Sequence, residues 1–305
     1  MNRKNFLYRL FWLLALLLAG VLLTYVLTFI ILTALHGGDL TAALTGFGSR
    51  VGDLWLVQTV QAVCVFILPA VLLTRICREE TASWLSWRRA GGLDLLVAAL
   101  SVMAALPLVN VLVAWNGSWT LPAWLSEVET WLQEQEQAAG QVTQTMLGVS
   151  GLGGLVVNFA VIALLAGLGE EMMFRGALQR MLYEGFSSRR LRTGREGSSG
   201  AAVASVWLAA FLFSAIHLQF YGLIPRMLLG AWFGYLLLWT DSLWVPVTAH
   251  AVNNALSLFF AMADRRGWMA AGSVDSLGLG RSWWLCLVSV MLLVGCVWYF
   301  RRGRS

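Results

Sequence analysis

Charge is scarce in this chain. Of its 305 residues only 12% are Asp, Glu, Lys or Arg, 59% are hydrophobic, and the mean hydropathy is +0.72. That balance excludes an ordinary soluble domain, in which about a quarter of the residues are charged. Polar linkers are missing too: no soluble stretch exceeds about 40 residues, below the usual size of a domain, and no internal repeat is evident. Cysteine is sparse. Cys64, Cys77, Cys286 and Cys296 contain no close CxxC pair, so neither a disulfide framework nor a zinc knuckle is supported, and small apolar packing residues are the plain reading.

Long apolar runs are what the sequence has instead. Runs of about 20 residues, enough to cross a hydrocarbon core roughly 30 Å thick, fall at 10–35, 54–74, 93–115, 152–183, 201–218, 223–240, 244–262 and 283–300. They are continuous rather than alternating, which predicts helices and not a barrel. The expected fold is all-α, a polytopic integral membrane protein with about eight transmembrane helices in a single membrane domain over 1–305. The first run follows Asn2-Arg3-Lys4 but is much longer than a signal-peptide core, so it is read as an uncleaved span.

The net charge of +5 does not point to nucleic acid, because of where the cations stand. They gather at Arg3, Lys4 and Arg9, at Arg75, Arg78, Arg88 and Arg89, at Arg180 through Arg195, and at Arg301, Arg302 and Arg304. Those are the termini and alternate loops, the positive-inside pattern, which puts both termini in the cytoplasm of a multi-pass cell-membrane protein. Arg265, Arg266 and Arg281 are exceptions. Residues 116–150 hold Glu127, Glu129, Glu134 and Glu136 and no Lys or Arg, as an outer loop should. Within that loop Trp124, Leu125, Val128, Trp131 and Leu132 recur at helical spacing, which suggests an amphipathic helix on the bilayer surface. Residues 186–200, FSSRRLRTGREGSSG, read as a mobile cytoplasmic loop touching anionic headgroups. Gly230 and Gly234 form a GxxxG, whose default meaning is close helix packing.

Against this background three polar groups are conspicuous. A charge at the bilayer centre costs about 2.5–3.5 kcal/mol even on the gentler insertion scale, yet Glu170, Glu171 and Arg175 interrupt the fourth run. On a helix Glu171 and Arg175 share a face and can pair, whereas Glu170 points about 100° away. This division makes Glu171 and Arg175 structural and Glu170 the carboxylate for chemistry; capping of an inner helix end is the bland alternative. If the helix is continuous to Tyr183, Glu170 lies about 20 Å from its inner end. Two of the three histidines lie in later runs: His217 has Phe213 one turn before it, and His250 has Asn254 one turn after it. His36, beside Gly37 and Gly38, reads as an exposed loop histidine.

Glu170-Glu171-x-x-x-Arg175, Phe213-x-x-x-His217 and His250-x-x-x-Asn254 resemble, in order, spacing and placement on successive apolar segments, the three motifs of the CPBP family. These proteins are also called Abi or type II CAAX prenyl endopeptidases. The resemblance covers about 150–262, the expected catalytic core. It implies an intramembrane endopeptidase acting on a membrane-associated, CAAX-like protein or peptide. Carried over, Glu170 is the general base, His217 helps polarise the attacking water, and His250 and Asn254 stabilise the oxyanion. Residue chemistry agrees, since burial makes a carboxylate a stronger base and preorganised side-chain donors suit a tetrahedral oxyanion. The family is conventionally labelled metalloprotease, and Glu170, His217 and His250 could supply three zinc ligands with water in the fourth position. HExxH is absent, however, and a ligating Glu170 could not also serve freely as base, so metal-independent chemistry is preferred. The rival readings are a noncatalytic member of the same fold, acting as a scaffold or in bacteriocin immunity, and a proton-coupled transporter, for which no inverted repeat or pair of broken helices is seen.

Overall fold

The computed structural model describes residues 5–45, 50–149, 151–191, 198–270 and 272–302, and no strand occurs among them. Arg3, Lys4, Arg192, Arg195 and Arg304 of the basic clusters lie outside the described residues. In chain order the helices are α1 (Phe6–Leu35), the short α2 (Leu40–Thr45), α3 (Val51–Cys77), the single turn α4 (Thr81–Trp84), α5 (Gly92–Gly117) and α6 (Ser126–Leu147). There follow α7 (Leu152–Ser187), α8 (Ser198–Ala215), α9 (Leu223–Thr240), α10 (Trp244–Arg265) and α11 (Trp284–Arg302).

The protein is an all-α, polytopic membrane protein. Among the described residues seven helices are long and apolar enough to cross a bilayer, where about eight were expected. The difference is α8, whose apolar part, Gly200–Ala215, is shorter. It stops there because the chain reverses at Leu218, which takes a left-handed φ of 55°, a conformation no helix continues through. Helical structure also replaces part of the loop expected at 186–200: the helix that contains α7 runs on to Leu191, and α8 begins at Ser198.

The chain forms two compact units, Met1–Arg88 with Val142–Ser205 and Arg89–Gln141 with Val206–Ser305. In the first unit α3 packs between α1 and α7. Its middle, Ala62–Ile67, widens into a π-helical stretch just before Pro69, which has no N–H to give to the preceding turn. Two glycines allow neighbours to approach that stretch. A Cβ on Gly20 of α1 would stand 2.1 Å from the Cys64 carbonyl oxygen, and one on Gly169 of α7 would stand 3.3 Å from that of Ala62, so small residues set the helix spacing here. None of the four cysteines is in a disulfide.

Charge closes one end of this unit. Arg9, buried on α1, ion-pairs with Glu79 at 2.5 Å and with Glu184 on α7, and its guanidinium lies 5.6 Å from the Trp84 ring centroid. Arg180 in turn reaches the Ser83 and Trp84 carbonyls, each at 2.9 Å. At the opposite end of α1 His36 is held rather than exposed, a correction to the loop reading. Its Nε2 is 3.2 Å from Asp53 Oδ2 and its Nδ1 is 2.9 Å from Arg50 Nη1. Because a guanidinium only donates, Nδ1 is the acceptor and Nε2–H donates to Asp53. The partner lies 17 residues away, at the first turn of α3, which places the two helix ends side by side.

In the second unit α5 is central and packs along α9, α10 and α11. The core joins Ala98 and Val102 of α5 to Phe233 and Leu236 of α9, Val245 and Ala249 of α10, and Phe300 of α11. On α5 the residues Leu93, Leu96, Leu100 and Met103 are exposed at helical spacing, the stripe a bilayer would cover. Polar anchors add to this core: Asn110 donates to the Val274 and Leu277 carbonyls, and Trp232 Nε1 donates to Ser101 Oγ at 2.9 Å. The acidic segment after α5 forms α6 following a 3₁₀ turn at Ala123–Leu125, with Trp124, Val128 and Trp131 exposed.

Candidate active site

The first motif belongs to the first unit and the other two belong to the second. In α7 the motif region is not a plain α-helix. Phe159–Leu165 is π-helical, Ala166–Glu171 is α-helical, and Met172–Gln179 is π-helical again. Such insertions concentrate at functional positions. Glu170 and Glu171 end the α-helical stretch, one residue after Gly169 lies against α3. Glu171 and Arg175 are fully buried, and Arg175 Nη1 stands 2.9 Å from Glu171 Oε1. Glu170 is half-buried.

In the second unit α8 delivers Phe213 from its last turn, and His217 follows in the reversal. His217 Nδ1 is 2.8 Å from the Phe213 carbonyl oxygen. A carbonyl only accepts, so Nδ1 carries the proton, and in the neutral ring Nε2 is the lone-pair nitrogen. The Phe213 ring meets both histidines edge-on, its centroid 5.1 Å from that of His217 and 5.8 Å from that of His250. His250, buried on α10, also lies flat on Phe233 at 5.1 Å and 22°. Two aromatic rings thus set the orientation of one imidazole. One turn further along α10, Asn254 Oδ1 accepts from Asn253 Nδ2 at 3.3 Å, which leaves the Asn254 amide NH₂ as its donor end.

The loop after His217 is pinned by a residue the sequence reading passed over. Asn116, buried at the end of α5, donates to the Phe220 carbonyl at 3.1 Å and accepts from the Ile224 N–H at 2.9 Å, while Ser214 Oγ donates to the Leu223 carbonyl. Arg226 was also missed. It stands inside an apolar run and donates to Gln219 Oε1 at 2.5 Å, so the test that singled out Glu170, a charge among apolar residues, would have found it. Phe233 had no such signal, being one aromatic among many.

Residues 152–256 match the family model described as type II CAAX prenyl endopeptidase Rce1-like. Over that segment the chain is CAAX-protease-like. The matched stretch holds all three motifs, from Glu170 to Asn254, and is consistent with the CPBP resemblance. Neither the curated proteins nor the solved structures yield a match. A zinc site built from Glu170, His217 and His250 requires three such side chains around one ion. Among the described residues no group of three His, Cys, Asp or Glu is so placed. No step below is routed through a metal.

Proposed function

We propose that the protein is an intramembrane endopeptidase that hydrolyses a peptide bond in a membrane-associated protein or peptide, with a prenylated CAAX-like C-terminus as the substrate class suggested by the family match. In this reading Glu170 takes a proton from water as the water attacks the scissile carbonyl, and His217 Nε2 accepts the water's other hydrogen to orient it. His250 and the Asn254 amide donate to the carbonyl oxygen as it becomes an oxyanion. The proton held by Glu170 then passes to the leaving amine, so the carboxylate is restored. Glu171 and Arg175 hold the α7 turn in place. The protein is placed in the cell membrane with both termini in the cytoplasm.

The observation that carries the reading is the arrangement in the second unit. A histidine with a fixed tautomer and a histidine clamped between two phenyl rings share Phe213, and an amide donor stands one turn beyond the second of them. Packing alone does not require the Nδ1–H of His217 to be committed to a carbonyl, which makes Nε2 the acceptor nitrogen of the neutral ring.

The test is cleavage of an internally quenched, farnesylated CAAX peptide by full-length protein reconstituted in vesicles. Release of the C-terminal tripeptide by the wild type and not by Glu170→Gln is expected. Binding of the peptide without cleavage would favour the noncatalytic reading, and proton flux without hydrolysis the transporter; either would overturn the proposal.

A further inference from the structure

At the membrane boundary where α5 begins and α9 and α11 end, the second unit holds a cavity of about 470 Å³, lined by Asp94, Trp239, Trp298, Tyr299, Phe300 and Arg302 among others. Its volume is that of a small-molecule site. None of these residues belongs to the three motifs. Tyr299 Oη donates to Asp94 Oδ1 at 2.9 Å, which fixes the carboxylate and turns Oδ2 into its remaining acceptor. Trp239 is stacked on Phe300 at 6.3 Å and 18°, so the carboxylate has aromatic walls nearby. The Arg302 guanidinium lies 4.3 Å from the Trp298 ring centroid, held over a ring that is itself 58% exposed.

These parts select a ligand chemistry. A carboxylate among aromatic rings attracts an ammonium through charge and through the ring faces. An arginine presents a planar fork to phosphate oxygens. Tryptophans at a span's end sit at headgroup level. A pocket for anionic lipid would be basic throughout, and here Asp94 repels a second negative charge. An ammonium, a phosphate and an apolar remainder at the bilayer boundary together describe one class of molecule. We propose that this cavity binds the headgroup of a zwitterionic phospholipid, its ammonium on Asp94 and the surrounding rings and its phosphate on Arg302.

The experiment is native mass spectrometry of the full-length protein in detergent, with phosphatidylethanolamine, phosphatidylcholine and phosphatidylglycerol of identical acyl chains added in turn. One zwitterionic lipid per chain should be retained, with phosphatidylglycerol bound about fivefold more weakly. Preference for phosphatidylethanolamine would mark hydrogen bonding to Asp94 as dominant, preference for phosphatidylcholine the aromatic walls, and either supports the site. Asp94→Asn is isosteric and keeps an acceptor for Tyr299; it should bring the discrimination close to one, whereas Arg302→Ala should weaken all three lipids. Trp298→Leu, at an exposed position, tests the aromatic wall should Asp94→Asn fold poorly, and it should weaken phosphatidylcholine most. Equal retention of phosphatidylglycerol by the wild type, or unchanged discrimination in both Asp94→Asn and Trp298→Leu, would overturn the proposal.

Discussion

Arg175 Nη1 lies 2.9 Å from Glu171 Oε1, and the two side chains are 1% and 0% exposed. Each is the neutralising partner of the other in a place where water cannot do that work. Neutralising Glu171 removes the larger of the two carboxylate attractions on the buried Arg175, Glu170 supplying the other, a loss of up to about 3–5 kcal/mol. Glu171→Gln should therefore lower the melting temperature and the yield of purified protein, while Glu170→Gln should melt close to the wild type and lose cleavage. Thermal melts and peptide assays on the two variants decide the matter, and the opposite pattern would exchange the roles of the two carboxylates.

The hydrogen bond from His217 Nδ1 to the Phe213 carbonyl predicts an asymmetry between two amide replacements. Asparagine places its amide near the position of Nδ1, and glutamine places its amide near that of Nε2. If Nε2 meets the water, His217→Gln should retain measurable turnover, about 10²-fold below the wild type given the usual contribution of acid–base catalysis. His217→Asn should fold equally well and show none. Greater activity in His217→Asn would mean that Nδ1 does the chemistry.

Phe233 lies flat on His250, and Phe233→Leu removes that face while keeping an apolar side chain in the core. The stacked contact is worth about 0.5–1.5 kcal/mol beyond the area it buries, so a modest drop in stability is expected. Turnover should fall more than substrate affinity, because Phe213 meets the ring only edge-on. A variant with wild-type kcat would show that His250 needs no such support.

What could be read from the sequence follows from how conspicuous each residue is in an apolar chain. Glu171 and Arg175 stood out as charges, and their spacing of four is a property of any helix. Seven of the spans were visible as long apolar runs. The two π-helical stretches of α7 were not, since a wider turn leaves no mark in composition; it shows only in the backbone bonds around Phe159–Leu165 and Met172–Gln179. Likewise the partners of His36 come from the start of the next helix, and a glycine-flanked histidine gives no hint of them. The end of α8 at Ala215 was hidden because Ile216, His217 and Leu218 are as compatible with helix as with the left-handed turn the chain makes at Leu218.

His250 and Asn254 stand one helical turn apart on α10, so both can address one atom, as an oxyanion developing in the transition state requires. Asn253 donates to Asn254 Oδ1, which orients the Asn254 amide with its NH₂ as donor. On this assignment Asn254→Ala should cut kcat by about 10²–10³, the usual loss for one oxyanion donor, with little change in KM because the charge forms only during the reaction. Asn254→Asp should do no better, since a carboxylate offers no donor and repels the oxyanion. A zinc ion held by His250 makes a different forecast: His250→Ala would abolish bound metal, and a chelator would silence the wild type. Purified protein is expected to carry no stoichiometric zinc by elemental analysis and to keep its activity through exhaustive chelation. Loss of activity on chelation, restored by added zinc, would move His250 from oxyanion donor to metal ligand and take Glu170 out of the role of general base.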